Sequence, residues 1–93
     1  MMKAETFENV FDALCDTAAE AANMKARAEL MLGIRERVKA WGVPQEEAAK
    51  RLGLTRPRLN DLLRGKIDKF SLDALVNIAT AAGYALHISL DAA

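Results

Sequence analysis

Residues 52–64 read LGLTRPRLNDLLR, in which a glycine is followed by a segment with the marks of a short helix. Gly53 tolerates the positive φ that a sharp turn between helices requires. Thr55 can cap the next helix with its hydroxyl, and Pro57 is tolerated in a first turn, where amides lack helical acceptors. The apolar residues at core spacing are Leu59, Leu62 and Leu63. The pattern predicts the turn and second helix of a helix-turn-helix, with DNA as the default ligand.

The polar residues of this predicted helix are left facing outward, and their types suit base edges and phosphates. Arg56 or Arg58 could bind guanine bidentately and Asn60 could read adenine, each pair discriminating by about 1–3 kcal/mol. Asp61 could accept a hydrogen bond from cytosine. Its three-residue spacing from Arg58 and Arg64 favours an ion pair on the helix surface instead.

Charge is unevenly distributed along a chain whose net charge is zero. Residues 25–66 hold eleven Lys and Arg against five Asp and Glu, whereas residues 1–24 hold one Lys against five acidic residues. Because surface potentials decay over about 8 Å at physiological salt, a locally basic face can attract DNA despite a neutral total. Basic surface helices also occur for solubility alone, so the asymmetry is supporting evidence only.

Length and composition exclude several classes of protein. Ninety-three residues predict a single domain with a modest core. A single cysteine, Cys15, excludes an intrachain disulfide, no N-terminal apolar stretch precedes a cleavage site, and no apolar run reaches membrane-spanning length. We therefore expect a soluble, cytoplasmic protein.

Catalytic chemistry has little support in the sequence. His87 is the only histidine and Cys15 the only cysteine, so a zinc site would need carboxylates of uncertain position. No glycine-rich phosphate loop is present. We expect no enzyme activity, no metal and no cofactor.

Periodicity divides the chain into an acidic arm (1–16), a helical domain (17–83) and a C-terminal tail (84–93). In the arm, Phe7, Val10, Phe11 and Leu14 have the spacing of a short amphipathic helix. The domain is expected to contain helices at about 17–41, 44–52, 55–64 and 71–82, with a loop at 67–70. The inward stripe predicted for the first of these is Met24, Ala28, Met31, Ile34, Val38 and Trp41.

The tail changes period and predicts a short β-strand. Tyr84, Leu86, Ile88 and Leu90 alternate with more polar residues, among them His87. No second strand is evident, so we expect the tail to pair with its own copy in a homodimer, with these five residues at the interface. The alternative is that the tail pairs with residues near Thr6 and Phe7, or frays.

Three stretches resemble a known family: residues 23–30 (NMKARAEL), 45–54 (QEEAAKRLGL) and 56–66 (RPRLNDLLRGK). From about residue 24 to 90 the chain resembles the XRE, or lambda-repressor-like, helix-turn-helix proteins, and more narrowly the HigA-like antitoxins. The resemblance implies a mainly α bundle of four to five helices. Many relatives carry Gln or Ser where this chain has Arg56 and Arg58, so a base preference cannot be transferred.

The resemblance also implies roles for particular residues and for partners. The residue matching Gln45 holds a phosphate, those matching Arg56, Pro57, Asn60 and Asp61 face the major groove, and those matching Arg64 and Lys66 approach the DNA backbone. Thr55, which caps the predicted helix, is added to these residues. The candidate DNA-binding residues are then Gln45, Thr55, Arg56, Pro57, Arg58, Asn60, Asp61, Arg64 and Lys66. The expected ligand is double-stranded DNA with a palindromic operator.

Two functions remain compatible with these features. One is a sequence-specific repressor of transcription. The other is an antitoxin whose acidic arm neutralises a small basic toxin, which the resemblance implies to be of the RelE-like type, and which represses its own operon. The arm could instead only cover the helical bundle, and a protein-interaction module without DNA binding is a third possibility that the outward arginines disfavour.

Overall fold

The computed structural model describes residues 17–92, and within this range the fold consists of four α-helices and one 3-10 turn. The helices are α1 (Ala18–Trp41), α2 (Gln45–Leu52), α3 (Arg56–Leu63) and α4 (Leu72–Ala81), with the 3-10 turn at Ile67–Lys69 between α3 and α4. The mainly helical prediction is confirmed. The helix suggested for the acidic arm lies outside the described residues.

Three of the four helices, α1, α3 and α4, begin where the sequence places a capping hydroxyl. Thr17 Oγ1 accepts a hydrogen bond from the Glu20 amide at 3.0 Å, and Ser71 Oγ accepts one from the Ala74 amide at 3.1 Å. Each satisfies an amide of the first turn that has no helical acceptor. Phe70 and Leu75 flank the start of α4 as a hydrophobic staple, and both are buried. The predicted starts of these two helices are confirmed.

The core lies where α1 and α4 pack together and α2 and α3 close over one end. Its fully buried large side chains come from α1, α3, α4 and the residue that follows the 3-10 turn; they are Ile34, Leu59, Leu62, Phe70 and Leu75. The position of α3 therefore depends on two leucines that are anchored among the other elements. No helix within residues 17–92 has the length and apolarity needed to cross a membrane.

The inward stripe predicted for α1 is confirmed in its second half only. Met31, Ile34 and Val38 are buried and the half-buried Trp41 packs against the core, whereas Ala28 is exposed and Met24 is half-buried. The apolar period of the sequence continues along the whole helix, whether or not another element packs against each part of it. The N-terminal turns of α1 have fewer partners among the described residues than the centre of the helix.

The tail after α4 has no regular secondary structure from residue 83 to 92 in this single chain. Its root is attached to α1, because the Tyr84 hydroxyl donates a hydrogen bond to Gly33 O at 2.8 Å and the Arg37 guanidinium lies 4.3 Å from the Tyr84 ring centroid. Beyond Tyr84 the apolar residues face solvent: Leu86, Ile88 and Leu90 are 45%, 76% and 92% exposed. A strand needs a backbone partner, and the tail has none within residues 17–92.

Replacing Gly53 or Gly33 with alanine should change the free energy of unfolding in opposite directions. Gly53 has φ 71°, so Gly53→Ala is expected to lower the free energy of unfolding by about 1 kcal/mol. Gly33 lies within α1, and a Cβ there would meet only the Tyr84 hydroxyl at 4.0 Å. Gly33→Ala should therefore raise the free energy of unfolding by about 0.5–1 kcal/mol. Urea denaturation of both variants measures the difference, and equal shifts would contradict this account of the turn.

Candidate nucleic-acid interface

The corner between α2 and α3 has the geometry that the sequence predicts. Gly53 ends α2 in the left-handed region, with φ 71° and ψ 30°. The Leu54 amide then donates to Ala49 O at 2.9 Å, which closes the end of the helix in a Schellman-type motif. Ala49 is 3% exposed, so its small side chain lies inside the corner. This turn sets the angle at which α3 leaves α2.

Helix α3 presents its first turn to solvent while its other side is anchored in the core. Thr55 Oγ1 accepts a hydrogen bond from the Arg58 amide at 3.3 Å, which caps the helix as predicted. Leu59 and Leu62 are fully buried. Arg56, Pro57 and Asn60 are exposed. The side chains of Arg56 and Asn60 make no hydrogen bond or ion pair among the described residues. Both are therefore available to a ligand.

Arg58 has a different environment from its neighbours on α3. Its Nη1 donates to Lys69 O at 2.9 Å, and its guanidinium lies 4.1 Å from the Phe70 ring centroid. The side chain is half-buried rather than facing outward as the sequence suggested. The structure thus gives Arg58 partners within the protein itself.

Asp61 forms an ion pair as predicted, but its partner is not the predicted one. Its Oδ1 lies 3.7 Å from Lys66 Nζ, and no ion pair joins it to Arg58 or Arg64. The reason is the turn after α3, where Gly65 has φ 73° and the Lys66 amide returns to donate to Asp61 O at 3.0 Å. The three-residue spacing of ion pairs applies within one helix, so it cannot predict a pair with a residue that lies beyond the helix end.

The remaining predicted contacts lie around α3 at the surface. Gln45 is the first residue of α2 and is exposed, and Pro44 before it provides no side-chain cap to the first amides of that helix. Arg64 and Lys66, after α3, are exposed as well. On α2, Arg51 is already engaged, since its Nε lies 3.2 Å from Glu47 Oε2 and its guanidinium lies 4.9 Å from the Trp41 ring centroid.

Arg27 supports this surface, although no sequence pattern assigns it a role. Its Nη1 donates to Ile67 O at 3.1 Å and to Phe70 O at 3.3 Å, while its Nε donates to Asn23 Oδ1 at 2.7 Å. These contacts attach the segment after α3 to α1. The two carbonyls are 40 and 43 residues away along the chain, so no local pattern could reveal them.

Comparison with known proteins gives one result at the level of the family. A family model described as a helix-turn-helix domain matches residues 13–91, and this range includes both the α2–α3 corner and most of the tail. A search of curated proteins found no match.

Proposed function

The chain belongs to the helix-turn-helix domain family, and from this premise we propose that it is a sequence-specific repressor of transcription. The main observation in support is the exposed face of α3, where the side chains of Arg56 and Asn60 have no partners among the described residues. Arg and Asn are the residue types that bind guanine and adenine edges in the major groove. If Arg56 and Asn60 belonged to a polar face buried within the protein, their side chains would be paired with other groups of the protein.

In the proposed complex, α3 enters the major groove with its N-terminal end foremost. Arg56 and Asn60 contact base edges, and Pro57 and Thr55 lie beside them. Gln45, at the start of α2, contacts a phosphate, because the free amides and positive dipole end of a helix favour an anion. Arg64 and Lys66 contact the DNA backbone beyond α3. Bound at a promoter, the protein would repress transcription by occlusion.

DNA binding is tested with fluorescently labelled duplexes in anisotropy titrations. We expect the protein to bind the DNA upstream of its own reading frame more tightly than a duplex of scrambled sequence. The logarithm of the affinity should fall linearly with the logarithm of salt concentration, at nearly one unit per neutralised phosphate. Equal affinity for the two duplexes would contradict sequence-specific binding, and no binding to either would contradict the proposal altogether.

We further propose that the protein is a homodimer joined by its tails. Apart from Leu32, the exposed large hydrophobic side chains within residues 17–92 are all in the tail; they are Tyr84, Leu86, Ile88 and Leu90. Two tails paired antiparallel about a two-fold axis would satisfy each other's backbone groups and cover these side chains. His87 would lie in the same ribbon. Such a dimer would present two α3 helices about 34 Å apart to a palindromic operator.

An antitoxin role is the more specific form of this proposal. It rests on the resemblance to HigA-like proteins and on the acidic arm, whose sequence offers negative charge to a basic toxin of RelE-like type. The alternatives are a regulator without a toxin and a protein-interaction module without DNA binding. A small basic protein encoded in the adjacent reading frame, and copurifying with this chain, would favour the antitoxin. Its absence would favour the regulator without a toxin.

A further inference from the structure

The segment 67–70, which connects α3 to α4, is held by two guanidinium groups. Arg58 reaches it from α3 and donates to Lys69 O at 2.9 Å. Arg27 reaches it from α1 and donates to Ile67 O at 3.1 Å and Phe70 O at 3.3 Å. Three of the four carbonyls of this segment therefore accept hydrogen bonds from arginine, and the segment is tied to both neighbouring helices.

Phe70 makes the Arg58 contact specific to a planar cation. The Phe70 side chain is 1% exposed and belongs to the core, and the Arg58 guanidinium lies 4.1 Å from its ring centroid. A guanidinium can stack on a ring while one of its N–H groups donates to a carbonyl. A lysine ammonium carries the same charge but cannot stack in this way. Arg58→Lys therefore keeps the positive charge and removes the contact that holds the side chain in position.

Binding of a base by Arg58 would break these contacts. A guanidinium that turned away toward a base would lose the Phe70 ring and the Lys69 carbonyl, and with them the link that these contacts make between α3 and the following segment. Arg56, two residues earlier, is exposed and has no such contact to lose.

We propose that Arg58 is a positioning residue, which fixes α3 against segment 67–70, and that base recognition falls to Arg56 and Asn60. This inference rests on the proposed DNA binding and assigns different roles to the arginines of α3. Arg58 sets the orientation of the helix relative to the DNA, and its neighbours determine the sequence that is bound.

The test is selection from a duplex library with a randomised core, using the wild type, Arg58→Lys and Arg56→Lys. Circular dichroism first establishes that each protein is folded. Arg58→Lys should enrich the same sequences as the wild type and bind them about three- to tenfold more weakly. Arg56→Lys should change the preferred base at one position of each half-site. A changed base preference for Arg58→Lys, or unchanged affinity, would overturn the proposal.

A second measurement decides the positioning role without DNA. The Lys69 amide donates to Lys66 O at 3.1 Å and the Phe70 amide to Ile67 O at 3.3 Å, so both report on the segment. Their hydrogen exchange, measured by NMR, should be at least about threefold faster in Arg58→Lys and unchanged in Arg56→Lys. Equal exchange in the two variants would refute the link between Arg58 and the segment. If the wild type enriches no duplex, the proposed function fails, while this comparison still decides whether Arg58 fixes the segment.

Discussion

The double variant Arg56→Ala, Asn60→Ala should lose at least about 30-fold in affinity for the promoter fragment that the wild type is proposed to bind. Each side chain is proposed to contact a base edge, and such contacts are worth about 1–3 kcal/mol each. Both residues are exposed and neither side chain bonds to another described residue, so the variant should keep its fold. Anisotropy titration measures the loss, and circular dichroism establishes that the helices remain.

A matched control for this variant removes the same groups elsewhere. Lys25→Ala, Asn77→Ala also deletes one cation and one amide, but from exposed positions on α1 and α4. It should bind the promoter fragment within about twofold of the wild type, because only the long-range charge term changes. A similar loss in both variants would mean that general charge, rather than α3, is responsible for binding.

Dissociation of the proposed dimer is the second large effect that we expect. The variant Ile88→Asp, Leu90→Asp places four carboxylates in a paired ribbon and should convert the dimer to a monomer in analytical ultracentrifugation. Since these side chains are 76% and 92% exposed in the single chain, the substitutions should not unfold it. Affinity for a palindromic operator should then fall by about 10²–10⁴-fold, because the second half-site no longer benefits from effective concentration.

Two companion measurements make the dimer prediction specific. Deletion of residues 84–93 should likewise give a monomer, with the mass expected for the shortened chain. Asp91→Ala, at an exposed position near the end of the tail, should leave the dimer intact. A dimer that persists in both the deletion and the double substitution would show that the subunits associate through another surface.

Helix boundaries could be predicted from sequence because their determinants are local. Thr17, Thr55 and Ser71 each cap an amide three residues ahead, and Gly53 closes α2 within its own turn. The short turn at Ile67–Lys69 was predicted only as a loop, since three residues contain too little pattern to distinguish one 3-10 turn. Secondary structure thus followed from residues within a few positions of each other.

The candidate site was less predictable wherever a side chain has a distant partner. Arg58 has the residue type and helical position of a base-contacting arginine, yet its partners are eleven and twelve residues further along the chain. Asp61 pairs with Lys66 only because Gly65 reverses the chain. Arg56 and Asn60, which make no such contacts among the described residues, lie where the helical period places them.

The shortness of α2 and α3 has a consequence for the inactivation of the protein. Each has eight residues, and isolated helices below about 12–15 residues are marginal in water. They are helical here because Ala48, Leu52, Leu59 and Leu62 are anchored against the longer helices. Excised from the rest, the motif would lose its shape, so heat or a protease that releases α1 should abolish operator recognition and helicity in a single cooperative transition.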